Sequence, residues 1–515
     1  MKRFATLLLA GVLSGSVAQA QETVRGVCGM STADQLPLIE RMEANRLLPT
    51  PAKERGAITY VPIHFHLVGD ANGNGKVREV RVLDQMCQLN KDYLPLDIQF
   101  YLSPHPTQGL FDVSINNDNV YETQSNTFLM GNRRHTKALN VYVTKEADSG
   151  NPNPIGIVLA YYSPTFDWIV SRRDQINGSA NNGTLQHEIG HFFSLPHTFF
   201  GWESDPFDAG DAGWPIAPSV SPGGSPTEKM DGSNCTTAAD RICDTRPDYN
   251  FGILASGCSN YIGGAKDPMG VLVDPQENNY MGYFSNCDYE FTAGQGTEII
   301  SDLNSNGRNY LDNNFVPAAT TITFPTDMLN SPIGGATTQY FDQVTLDWKP
   351  VTGATYYLIE VDLTSQFATG SYMSQITQNT TLTLTNLKKS TTYFWRVRPF
   401  NELYTCGAGV AGNFKTSAGS VSTHDIEAVQ EWAVQPNPTD GASLVQVSVS
   451  ADRAFEANIT LTDATGKTVF SRAGQTFATG QTTLELPTAG LANGLYFVSL
   501  WNGEARMTKK LVVLN

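Results

Sequence analysis

The run HEIGHFFSLPH at 187–197 constrains this chain more than any other stretch of comparable length. On an α-helix, residues four apart project from one face. His187 and His191 can therefore reach one ion at the roughly 2.0–2.1 Å of a zinc–imidazole bond. The chain must turn after the second histidine for His197 to supply a third nitrogen. Glu188 stands beside the first ligand, placed to take a proton from an attacking water. Three protein ligands with the fourth position open distinguish a catalytic zinc site from a closed structural one. The bland alternative is an amphipathic helix with surface histidines. Three of the chain's eight histidines lie within eleven residues, which speaks against it.

With 515 residues, the chain is too long for one core. Residues 1–20 read as a signal peptide: Lys2 and Arg3, an apolar run from Phe4 to Val17, then the small-residue site Ala18-Gln19-Ala20. No later stretch is apolar for the roughly 18 residues of a membrane span, so the expectation is a soluble mature protein. A net charge of −16, from 50 acidic and 34 basic residues, argues against a nucleic-acid partner. Export places the seven cysteines where disulfides persist, and the odd number leaves at least one unpaired. Cys87, in an amphipathic helix, reads as a buried free thiol, and Cys406 has no evident partner in its own domain.

Residues 21–55 form a polar leader with a helical stretch, Ala33 to Leu47, and a turn-rich end containing Arg55. Strand patterns follow at 58–68 (with His64 and His66 on one face), 98–102, 139–143 and 155–162. Helical patterns lie at 77–93, 183–195 and 292–304. This mixture predicts an α/β (α+β) domain over 56–316. Its Gly-, Pro- and Asp-rich stretch 200–290 is long enough to need a function or cross-links. Asp70-x-Asn72-x-Asn74-Gly75 and Asp302-x-Asn304-x-Asn306-Gly307 have the opening spacing of a calcium loop, but read as plain turns. Beyond 318 the texture changes to short Thr/Val/Tyr-rich strands, predicting two β-sandwich domains at 318–417 and 429–515 joined by a linker, 418–428. VTLDWKPVTGATYYLIEVD and TTYFWRVRPFN make 318–417 resemble a fibronectin type III domain, with Trp348 in its core and Tyr393 in the late-strand position.

HEIGHFFSLPHTF, DRICDTRPDY at 240–249 and NNYMGYFSNCDYEFTAGQ at 278–295 together resemble the pappalysin family of metzincin zinc proteases. The resemblance spans roughly 56–315. It implies a zinc-dependent endopeptidase acting on protein or peptide substrates, with Met281 as the methionine beneath the zinc histidines. Tyr283 then sits where it can hydrogen-bond the tetrahedral intermediate. The family pairs Cys258 with Cys287. That leaves Cys235 with Cys243 by elimination, although four cysteines allow three pairings. It also implies structural calcium, with Asp240, Asp244 and Thr245 as candidate ligands. Arg25-Gly26-Val27-Cys28-Gly29 looks like the cysteine-switch element of such precursors, in which Cys28 takes the open zinc position until cleavage near Arg55. One residue departs from the motif. Ser194 stands at the family's glycine, and a positive φ there would cost on the order of 1 kcal/mol, which Pro196 can offset by stiffening the chain. A surface-binding protein on an inactive protease scaffold and a zinc amidase are the competing readings.

WAVQPNPTDG, TLTDATGKTVFSR, GLANGLYFVSL and the ending TKKLVVL make 429–515 resemble the C-terminal sorting domain of the type IX secretion system. That resemblance implies the secretion machinery as a partner, passage through a bacterial outer membrane, and a secreted or surface-attached product.

Overall fold

The computed structural model describes residues 26–514, apart from 49–56, 117–123, 149–154, 211–214, 317–321, 419–425, 441–443 and positions 256, 313, 386 and 504. The signal-peptide reading, Arg25 and the expected cleavage near Arg55 fall outside the described residues. Two compact units divide at Val316 and Pro317. Among the described residues, no helix is long and apolar enough to cross a membrane.

The first unit is built on a mixed sheet. Its strands are β1 (Gly26–Cys28), β2 (Thr59–Leu67), β3 (Ile98–Leu102), β4 (Phe111–Asp112), β5 (Leu139–Thr144), β6 (Ile157–Ser163) and β7 (Trp168–Arg172). They run in the order β1-β6-β7-β5-β2-β3, with β4 also paired to β2. All neighbours are parallel except β6 and β7. Strands covered on both faces are buried along their whole length, as β5 is, its polar Asn140 and Thr144 included. Helices α1 (Thr32–Arg46), α2 (Glu79–Asp92), α3 (Gln124–Arg133), α4 (Thr184–Phe192) and α5 (Ala293–Leu303) accompany the sheet. α4 packs on β6 and β7, α2 on β3 and α4, and α1 on α5. His66 ties three strands together: Nδ1 meets Asp112 Oδ2 at 3.1 Å and Nε2 meets Asn140 Oδ1 at 3.0 Å.

The leader is part of this core. Ser31 caps α1 in a reciprocal box with Asp34, and Leu38, Ile39 and Met42 are buried. The Asp70 loop is a turn, its Oδ1 accepting the N–H groups of Asn72 and Asn74 at 2.8 and 2.9 Å. Asp302 is likewise no loop ligand: it is buried at the end of α5, with Arg308 Nε on its Oδ2 at 2.7 Å. The long segment 200–290 has little regular structure. An aromatic cluster of Phe199, Trp202, Phe207, Tyr249 and Phe251 fixes it instead, together with disulfides Cys235–Cys243 and Cys258–Cys287. Cys87 is disulfide-bonded, which corrects the expectation of a free thiol. Cys28 is the free cysteine among the described residues.

The second unit contains two sandwiches, so the chain is a mixed α/β domain followed by β-sheet domains. In the first, a three-stranded sheet and a five-stranded sheet enclose Trp348, Tyr357, Tyr393 and Trp395. The Tyr393 hydroxyl accepts the Lys388 N–H at 2.9 Å, the return bond of a tyrosine corner. In the second, a three-stranded and a four-stranded sheet enclose Val445, Val447, Ile459, Leu461 and Val498.

Candidate metal centre

α4 carries HEIGH, and the turn at its C-terminal end decides where His197 goes. The Ser194 N–H donates to His191 O at 2.9 Å and the Leu195 N–H to Gly190 O at 3.0 Å. That pair of bonds is a Schellman ending, whose pivot residue is left-handed and usually glycine. Ser194 is that pivot, at φ 71. Its hydroxyl donates to Asp302 Oδ1 at 2.7 Å, a bond glycine lacks. The chain is thereby reversed, and His197 faces the helix it has just left.

The result is a buried group in which Cys28, His187, His191 and His197 place one ligand atom each within 4.8 Å of one another. His191 Nε2 lies 3.1 Å from His187 Nε2 and 3.2 Å from His197 Nε2. The opposite ring nitrogens are committed elsewhere. His187 Nδ1 meets Tyr280 O at 2.6 Å and His191 Nδ1 meets Leu195 O at 2.7 Å. A carbonyl only accepts, so both Nδ1 atoms carry the proton and both Nε2 atoms present lone pairs. Burial lowers the pKa of His187 to about 4. Burial and the neighbouring rings push His191 and His197 well below the ordinary range. The neutral imidazoles of His187 and His191, with lone pairs 3.1 Å apart, repel unless a cation lies between them. Tetrahedral ligands at about 2.0–2.1 Å from zinc stand about 3.3 Å apart, so the donor set fits that ion.

Glu188 is buried beside the first two ligands, and burial raises its pKa to about 8. Cys28 Sγ approaches its Oε2 at 3.6 Å and His191 Nε2 at 3.7 Å. Tyr283 is engaged by the same leader residue, its hydroxyl accepting the Cys28 N–H at 3.1 Å and donating to Cys28 O at 3.2 Å. Met281 is fully buried and lies under α4. A Cβ at Gly190 would come within 2.4 Å of its Sδ. A cleft of about 370 Å³ opens beside His187 and Glu188, lined in part by Leu159, Asn181, Asn286 and Tyr289.

Two acidic residues at buried positions were not legible in the sequence. Glu203 Oε1 lies 3.3 Å from His197 Nδ1. Glu228 pairs with Asp240: burial, then mutual charge, raises the pKa of Glu228, and burial raises that of Asp240. Glu228 Oε2 and Asp240 Oδ2 are buried with no hydrogen-bond partner among the described residues. Thr245 Oγ1 donates to Asp240 Oδ1 at 3.0 Å. Asp244 is used differently, taking Thr292 Oγ1 at 2.8 Å and the Gly294 N–H at 2.6 Å at the start of α5.

Residues 433–514 match the model of the secretion system C-terminal sorting domain. An extracellular metalloprotease of Verticillium alfalfae is 27% identical over 312 residues, 56% of this chain and 92% of that protein. One from Colletotrichum graminicola is 26% identical over 326 residues, 58% of this chain and 98% of that protein. Extracellular metalloprotease 1 of Coccidioides posadasii is 25% identical over 316 residues, 56% of this chain and 92% of that protein. Among solved structures, chicken CNTN1 FN1–FN3 domains align over 36% of this chain and 64% of that one at 16% identity, with a TM-score of 0.16, too low to bear on the fold. The chain is a distant homologue of fungal extracellular metalloproteases, with a secretion-system sorting domain at its C-terminal end and an extracellular or surface destination.

Proposed function

We propose that the protein is a zinc endopeptidase of the pappalysin type, exported as a latent precursor. The observation that carries this reading is the meeting of the three Nε2 atoms, with two of the three Nδ1 atoms fixed by backbone carbonyls. His187, His191 and His197 would hold the ion, which would polarise the scissile carbonyl and lower the pKa of water. Glu188 takes the proton of the attacking water and delivers it to the leaving amine nitrogen. Tyr283, once free of the Cys28 backbone, donates its hydroxyl to the carbonyl oxygen as charge develops there. Met281 supports the ligands from below.

In this reading residues 1–20 are the signal peptide, 21–55 the leader, 56–316 the catalytic domain, 318–417 a fibronectin-like domain, 418–428 a linker and 429–515 the type IX sorting domain. Cys28 Sγ would be the fourth ligand until the leader is cleaved. Calcium binds at Glu228 and Asp240, since a hard dication with oxygen ligands relieves two buried carboxylates that otherwise repel. The test is turnover of casein and a peptide library by the processed protein. Hydrolysis is expected to stop with a chelator and with Glu188→Ala. Full hydrolysis by the Glu188→Ala protein would overturn the mechanism. No cleavage of any peptide by the zinc-loaded enzyme would point to a binding scaffold or an amidase.

A further inference from the structure

We propose that Glu203 is a positioning residue for His197, and that the leader residue Gln35 holds it off, so that the leader weakens the metal site. The inference rests on the zinc reading above and does not depend on Cys28.

His197 is approached by both side chains. Its backbone N–H donates to Gln35 Oε1 at 2.8 Å. Its Nδ1 lies 2.9 Å from Gln35 Nε2 and 3.3 Å from Glu203 Oε1. A backbone N–H can only donate, so the orientation of the Gln35 amide is settled: its NH₂ faces the ring and the carboxylate. That NH₂ lies 2.8 Å from Glu203 Oε1, closer than the carboxylate is to the ring. Glu203 Oε2 takes the Thr32 hydroxyl and the Gly201 N–H, the latter at 2.9 Å. Two leader residues therefore grip Glu203, and the bond to His197 is left at the outer edge of hydrogen-bond distance.

The two partners ask His197 for opposite tautomers. An amide N–H directed at Nδ1 needs a lone pair there, which puts the ring proton on Nε2, the atom that faces His191. A carboxylate at Nδ1 needs the proton there, which frees Nε2 for the metal. The other two ligands face no such contest, since backbone carbonyls hold their Nδ1 atoms. His197 alone has an outer partner that the leader can take, and with the leader gone Glu203 Oε1 has the ring as its one remaining partner among the described residues. Loss of such an outer partner lowers metal affinity about 10–100-fold.

The experiment is a cycle in the full-length Cys28→Ala precursor, with zinc affinity read by chelator competition. Gln35→Ala is expected to tighten zinc by about tenfold. Glu203→Gln is expected to cost about 10–100-fold in the Gln35→Ala background and under threefold where Gln35 is intact. An equal cost in both backgrounds, or no tightening by Gln35→Ala, overturns the inference and leaves the zinc reading standing. No zinc binding in any variant, Cys28→Ala alone included, overturns both. Nitrogen-15 NMR of the metal-free Cys28→Ala precursor needs no Glu203 variant: the His197 proton should move from Nε2 to Nδ1 on Gln35→Ala, and an unchanged tautomer refutes the contest.

Discussion

Ser194 offers a perturbation whose energy can be worked out from its parts. Its backbone is left-handed at φ 71, which costs a non-glycine residue about 1–2 kcal/mol. Against that stands a bond from its hydroxyl to the buried carboxylate of Asp302 at 2.7 Å, and bonds to charged groups contribute about 1.5–3 kcal/mol. Ser194→Gly removes both terms and should destabilise by about 0.5–1 kcal/mol. Ser194→Ala keeps the strain and loses the bond, and should destabilise by about 2 kcal/mol. Asn45 Nδ2 also reaches Asp302 Oδ1, at 3.1 Å, and softens both losses while the leader is in place. Calorimetry of the full chain, following the N-terminal unit, should rank wild type above Ser194→Gly above Ser194→Ala. The spacing is about 2–4 °C per kcal/mol. A Ser194→Gly protein more stable than wild type would show that the hydroxyl contributes nothing and that the serine is only strained.

Cys28→Ala should give an unprocessed precursor that cleaves casein, where the wild-type precursor is inert; a variant as latent as wild type would remove Cys28 from the latency mechanism. Gly190→Ala drives a methyl group toward Met281 Sδ, and overpacking of this kind costs about 1–3 kcal/mol; the variant should also lose bound zinc by metal analysis, and full zinc content would sink the packing argument. Burial raises the carboxyl pKa values of both Glu228 and Asp240, and the charge of Asp240 adds to the rise at Glu228. Raised folded-state values mean that both groups prefer to be neutral in the fold, so cation-free protein should lose stability as pH rises above the ordinary carboxylate range. Added calcium should restore melting temperature at pH 7 and have little effect at pH 4; a calcium-independent melting curve at both pH values counts against the site.

The zinc motif was legible because its geometry is local: one helix and one turn place three rings, and sequence spacing reports both. The turn was legible only as a difficulty. Ser194 read as strain because the offsetting partner, Asp302, lies 108 residues away. Strands with clear periodicity, such as β2 and β3, were found almost to the residue. Four elements of the first unit were not. β1 is three residues long and exists because β6 lies beside it; β4 has only two residues and exists because β2 lies beside it; α3 has few apolar residues to mark its face; β7 sets Trp168, Ile169 and Val170 in a row and so shows no alternation. Glu203 and Glu228 escaped for a related reason. They lie in the aperiodic stretch after His197, where neither spacing nor composition tells a buried carboxylate from a loop one. The bonds of Asp244 to the start of α5 were not legible either, since Thr292 there lies 48 residues further on.

The parallel pairing of β1 with β6 has a consequence for solubility. At the border opposite β3, Gly26–Cys28 lies against β6, so the sheet ends there on a strand only three residues long. Departure of the leader would turn β6 into an open border with backbone donors and acceptors facing outward. Such borders are templates on which other chains add strands. An extended peptide is welcome there, but a crowd of identical enzymes is not. Under the proposed latency, a leader shed only after dilution outside the cell would keep that border covered where the protein's own concentration is highest.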